Sequence, residues 1–126
     1  MARLHVVALG GRLPDWAEAA CADYTKRMPK GYQVERVDAV PRKTRVVALD
    51  ERGKDLTTVQ FAELLKAETA FVIGGPDGLP NEIREKADRL LRLSSLTLPH
   101  ALAQVVLMEQ IYRAATLLTG HPYHRG

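Results

Sequence analysis

One cysteine, Cys21, is present in 126 residues. The chain can therefore form no internal disulfide and no cysteine-built metal site, which suits a reducing compartment. Free cysteine behaves as a small apolar residue, so Cys21 belongs on the buried face of a helix. Long apolar runs are also missing. Charge interrupts each of them well before the roughly 18 residues that a membrane span needs, so no membrane partner is expected. The first residues lack the apolar stretch and small-residue cleavage site of a signal peptide. A cytoplasmic location is the expectation. There is no internal repeat and no low-complexity segment.

What remains is ordinary for a folded domain: 46% hydrophobic and 26% charged residues, too apolar for disorder. The length suits one core and is too short for two, so residues 1–126 form a single domain. A net charge of +3 tilts toward a polyanionic partner without establishing one.

Strands and helices alternate along the chain. Leu4–Leu9 is a short, nearly all-apolar strand, closed by Gly10-Gly11. Pro14 opens a helix through Met28, and Pro29-Lys30-Gly31 stops it. Strands are expected at 32–40, 45–50 and 70–73, with a short helix at 59–67. An amphipathic helix follows over 80–93, with Ile83, Ala87, Leu90 and Leu91 on one face. A short strand or extended segment at 94–98 and a helix at 101–118 complete the pattern. The fold class is α/β, a mainly parallel sheet with flanking helices.

Two junctions are too short for that scheme. Only Pro41–Thr44 separate the second and third strands, whereas a parallel crossover takes at least about 10–12 residues. The helix ending near Ala67 meets the strand at Ala70 through Glu68-Thr69, with no residue that stops a helix. Either strands two and three pair antiparallel, or residues near 41–45 and 67–70 are absent from this chain; the second reading is favoured.

Several catalytic signatures are absent. Gly74-Gly75-Pro76-Asp77-Gly78 is neither a dinucleotide fingerprint nor a phosphate loop, and no serine-hydrolase elbow or His-Glu-x-x-His occurs. The Gly-Gly-Pro-Asp-Gly segment follows a strand and precedes a helix, as either a tight turn or a backbone that a ligand can approach. In Ser94-Ser95-Leu96-Thr97-Leu98-Pro99-His100, hydroxyls alternate with leucines. Such a segment can wall a pocket, or be an extended stretch with Pro99 at a helix start. Neither motif decides its role alone.

Helix 101–118 is apolar around most of its circumference, so it is either central or buried against a second subunit. Glu109 and Arg113, four apart, should pair. The tail carries His121, Tyr123, His124 and Arg125. With no carboxylate or cysteine beside the histidines, no metal is expected. Its aromatic, imidazole and guanidinium groups suit bases and phosphates.

As an ordered set these residues resemble one family. Leu-Pro-Asp-Trp (13–16), Ala-Leu-Asp (48–50), Phe-Val-Ile-Gly-Gly-Pro-Asp-Gly (71–78), Leu-Ser-Ser-Leu-Thr-Leu-Pro-His (93–100), Glu-Gln-Ile-Tyr-Arg-Ala (109–114) and the closing His-Pro-Tyr-His-Arg are similar to the ribosomal RNA large-subunit methyltransferase H family of the SPOUT superfamily. The resemblance runs from end to end. It implies a C-terminal trefoil knot, a homodimer through helix 101–118, and methylation of N3 of a pseudouridine in 23S ribosomal RNA of the assembled ribosome. S-adenosylmethionine would be the donor and S-adenosylhomocysteine the product. By position, the cofactor site is Leu49, Gly74, Gly75, Ser94, Ser95, Leu96, Thr97, Leu98 and Pro99. Tyr123 or His124 would assist deprotonation or position the base, with Arg125 on phosphate. A side chain at Gly75 would fill the space beside the ligand. A ribosome-associated factor without catalysis is the alternative; it shares the charge and the tail and leaves the two loop motifs unexplained.

Overall fold

The structure is a computed structural model that describes residues 2–125; the side chains of His124 and Arg125 lie outside the described residues. Five strands form one sheet: β1 (Ala2–Ala8), β2 (Tyr32–Val37), β3 (Arg45–Asp55), β4 (Thr69–Ile73) and β5 (Arg89–Arg92). Their order is β2-β1-β4-β3-β5 and every pairing is parallel. The central strands β1 and β4 are mostly apolar because both of their faces are covered, with β4 buried along its whole length.

One face carries α1 (Asp15–Arg27), α2 (Thr58–Glu63) and α4 (His100–Thr119). Leu4, Val6, Val47 and Phe71 point into this larger core and meet Ala17, Cys21, Phe61, Leu107 and Ile111. Cys21 is fully buried there, as a small apolar residue should be. Arg36 on β2 grips Glu18 on α1 with two bonds of 2.9 and 2.8 Å. The opposite face is thinner: Val7, Ala48, Ala70 and Val72 pack with Leu79 and, from α3 (Asn81–Lys86), Ile83.

Three elements differ from the sequence pattern. The helix expected over 80–93 stops at Lys86, and residues 89–92 become β5. A Leu90-Leu91 doublet fits a helical face as well as a buried strand. Pairing with β3 decides: Leu90 and Leu91 lie opposite Ala48 and Leu49, and Asp88 exchanges bonds of 2.9 and 2.8 Å with Val46. Residues 94–98 are irregular rather than a strand. The third difference is in β3, which continues to Asp55 through a register shift between Leu49 and Lys54.

Strands β2 and β3 do not pair. They flank the central β1–β4 pair and run parallel, so residues 38–44 cross two strands without a helix. At the second junction a 3-10 turn, Leu64–Lys66, ends α2 before β4 begins. Thr69 Oγ1 closes that turn by donating to the carbonyls of Leu64 and Ala67 at 2.8 and 3.0 Å.

Candidate functional site

At the carboxyl ends of β3 and β4 lies a cavity of about 790 Å³. Ligands of open α/β sheets bind at this end of the strands, and the volume is within the range of small-molecule pockets. Its floor is the turn after β4. There Gly78 N–H donates to the Gly75 carbonyl at 2.9 Å, and Gly78 has φ +86°, a conformation that favours glycine. Its far wall is the irregular run before α4, in which Ser94 Oγ accepts from Leu96 N–H at 2.9 Å.

Eight residues anticipated at the cofactor site line this cavity: Leu49, Gly74, Gly75, Ser94, Ser95, Leu96, Thr97 and Leu98. They come from three separate stretches of chain. Pro99 is not in the lining; it stands at the N-cap of α4 in extended geometry (φ −60°, ψ 148°) and aims the helix. Gly75 has a different part from the expected one. A Cβ there would come within 2.6 Å of Gly10 Cα, so its missing side chain makes room for the backbone after β1 rather than for a ligand. A Cβ on Gly74 would likewise meet the Gly78 backbone at 2.6 Å.

Charged residues not anticipated at the cofactor site also border the cavity: Asp50, which closes the Ala-Leu-Asp motif, and Glu51, Arg52 and Arg92. Asp50 is the most constrained, its side chain 3% exposed and paired with Arg84 of α3. Burial by itself would raise its carboxyl. The Arg52 amide, donating at 2.8 Å, and the Arg84 guanidinium more than offset that and hold it below the usual carboxylate value. This pair anchors α3 to β3 at the cavity's edge. His100, the first residue of α4, also lines the cavity, and its Nδ1 lies 3.0 Å from the Gly74 carbonyl. The sequence signal for His100 was its place at the end of the Leu-Thr-Leu-Pro-His segment.

The tail is elsewhere. Residues Pro122–Arg125 form a short 3-10 turn against the second half of α4. Tyr123 stacks edge-on to Tyr112 with ring centroids 4.6 Å apart, lies under the Arg113 guanidinium, and donates its hydroxyl to Glu109 at 2.9 Å. Glu109 also takes Arg113 at 2.8 Å, as the sequence spacing anticipated. Burial, then the neighbouring Glu109, push the Tyr123 hydroxyl far above its ordinary value. Tyr123 is not among the residues that line the cavity. The side chains of His124 and Arg125, the other anticipated catalytic residues, lie outside the described residues.

Among the described residues no helix is long and apolar enough to cross a membrane, and no group of three metal-ligating side chains converges.

A family model described as "Predicted SPOUT methyltransferase" matches residues 33–124. Proteins called ribosomal RNA large subunit methyltransferase H are similar over nearly their whole length. That of Paraburkholderia phymatum is 42% identical and that of Paracidovorax citrulli 46%, each over 98% of this chain and 99% of the relative. These alignments run over 154 and 153 positions, so the relatives carry residues that this chain of 126 does not. Among solved structures, a probable methylase family protein from Haemophilus influenzae superposes with a TM-score of 0.60 at 15% identity, over 97% of this chain and 69% of that one. The SpoU methyltransferase AviRb from Streptomyces viridochromogenes, in complex with the cofactor AdoMet, gives 0.53 at 13%, over 95% and 61%. At these identities the two structures attest the fold.

Proposed function

The chain belongs to the ribosomal RNA large subunit methyltransferase H family of SPOUT methyltransferases, and from that premise we propose that it methylates N3 of a pseudouridine in 23S ribosomal RNA of the assembled ribosome, in the cytoplasm, with S-adenosylmethionine as donor. The observation that carries this reading is the cavity of about 790 Å³, which gathers Leu49, Gly74-Gly75 and Ser94–Leu98 from three stretches of chain. AviRb, on the same fold, is known with AdoMet bound.

The residues fit such a donor. The turn at Gly74-Gly75 supplies backbone to the floor, while Leu49, Leu96 and Leu98 supply apolar walls and Ser95 and Thr97 supply hydroxyls. When bound, S-adenosylmethionine supplies a methyl carbon on a sulfonium; the N3–C bond forms as the C–S bond breaks, leaving S-adenosylhomocysteine. The protein's share is alignment and exclusion of water. The N3 proton must also leave. Tyr123 keeps its own proton at neutral pH, so its part is to position the base, and the proton falls to His124. Arg125 holds phosphate.

Within one chain the tail rests beside Glu109, nine residues into α4 from the cavity at His100, or about 14 Å along the axis at 1.5 Å per residue. A homodimer through helix 101–118, the expectation of the sequence, supplies what the single chain lacks: the tail of one copy beside the cavity of the other. Leu102 on α4 and Leu96 in the wall, both exposed, support that reading. The same reading has the C-terminal part threading a trefoil knot.

Incubation with methyl-labelled S-adenosylmethionine and either intact ribosomes or naked 23S RNA tests the proposal. Label is expected in the RNA of ribosomes, at one pseudouridine. Donor binding without transfer to either substrate would favour the non-catalytic factor, and equal transfer to naked RNA would remove the assembled ribosome as substrate.

A further inference from the structure

We infer that His100 is a positioning residue of the cavity: it clasps the floor turn 74–78 to the first turn of α4 and so sets the distance between the two walls. The inference deepens the reading of this cavity as the methyl-donor pocket and rests on it.

The clasp has two sides. On one, Nδ1 lies 3.0 Å from the Gly74 carbonyl oxygen, so the ring donates Nδ1–H to it. On the other, the Cε1 and Nε2 atoms of the ring stand against Gly10: a Cβ there would come within 2.5 Å of both atoms, and within 2.7 Å of Gly75 Cα. Nε2 is buried and has no hydrogen-bond partner among the described residues. Among them the ring's one hydrogen bond is therefore the bond to Gly74. Three chain segments far apart in sequence, the end of β1, the end of β4 and the start of α4, thus meet through two glycines and one imidazole.

The placement matters because the wall 93–99 runs directly into His100. Whatever holds His100 to Gly74 holds Ser94–Leu98 at a set spacing from Gly74-Gly75, and both stretches line the cavity. A methyl donor seated between them is sensitive to displacements of an ångström or less. If the bond is lost the wall can move away from the floor, and donor affinity falls while the chemistry of a bound donor changes less.

The two side-chain amides separate this role from a merely structural one. Asparagine carries an N–H donor close to where Nδ1 stands; glutamine carries its donor farther out, where Nε2 stands, and does not reach Gly74. Each removes the imidazole and its packing on Gly10. The experiment measures S-adenosylmethionine binding by calorimetry, thermal melting, and KM and kcat for the donor in the full chain, as wild type, His100→Asn and His100→Gln.

His100→Asn is expected to stay within about threefold of wild-type affinity, and His100→Gln to bind about tenfold more weakly, the size of one hydrogen bond. Both should melt at similarly lowered temperatures, and the KM of His100→Gln should rise more than its kcat falls. Equal affinities for the two variants, whether at the wild-type level or equally reduced, would overturn the clasp. A wild-type chain that binds no donor would instead overturn the reading of the cavity. Should His100→Gln not fold, His100→Ala, which keeps neither the ring nor a donor, is compared with His100→Asn instead: weaker donor binding by His100→Ala is expected, and equal affinity of the two overturns the inference.

Discussion

The cavity and the tail are built by opposite means. The cavity is made of backbone: bare glycines at 10, 74 and 75, a turn closed by Gly78, and a wall of alternating leucines and hydroxyls. The tail is held by side chains, with Tyr123, Glu109, Arg113 and Tyr112 in one cluster on α4. A backbone site tolerates almost no added atom, because its neighbours cannot rotate away. A side-chain cluster loses its contacts one at a time. Donor binding should therefore fail abruptly on small substitutions at the cavity, and RNA recognition should fade gradually on substitutions in the tail.

The largest effect should come from Gly75→Val. Its Cβ would press on Gly10 Cα, and overpacking of this kind costs roughly 1–3 kcal/mol. Donor affinity measured by calorimetry should drop by about 100-fold. Retained affinity would break the contrast at its strongest point.

Arg84→Ala comes next. It strands the buried Asp50 carboxylate, which should lower stability in denaturant titrations by roughly 2–3 kcal/mol at neutral pH. The pH dependence has a definite sign. Asp50's carboxyl is held below the ordinary value of 3.8 in the folded state, so the pair's contribution is present above that value and is lost as pH falls through the lower folded one. The difference between wild type and variant should shrink in acid. A constant difference across that range would show that Asp50 is not the group involved.

On the tail side, Arg125→Ala should weaken ribosome binding by about tenfold, the size of one charge-assisted contact, and leave donor affinity unchanged. An equal loss of both would erase the distinction between the two regions. The smallest effect belongs to Tyr123→Phe. It removes the bond to Glu109 and keeps the ring on Tyr112, costing about 1 kcal/mol in a thermal melt with no change in donor binding. A tenfold fall in donor affinity would make Tyr123 part of the donor pocket rather than of the RNA-facing tail.

Much of this contrast was legible beforehand. Cys21 on the buried side of α1 and the Glu109–Arg113 pair follow from spacing within one element, and the parallel sheet from the alternation of strands and helices. The two loop motifs could be marked as candidates, though not joined. Leu90-Leu91 was misplaced because a helical face and a buried strand present the same doublet, and the partner that chose between them, β3, is some forty residues away. Gly75 was assigned to the site for the wrong atom: its neighbour is Gly10, from the other end of the chain.

What the sequence by itself determined is local: which segments alternate as strand and helix, which loops carry glycine or hydroxyls at the strand ends, and, through ordered motifs, the family. Hydrophobic period and turn chemistry act over a few residues, so they can be read in one pass. Which loops face each other was decided only by the tertiary structure. The strand order β2-β1-β4-β3-β5 and the docking of α4 bring Gly10, Gly74 and His100 together. The contacts that hold them there, backbone on backbone and one imidazole on a carbonyl, join residues that are 26 or more apart in the chain and leave no periodic trace.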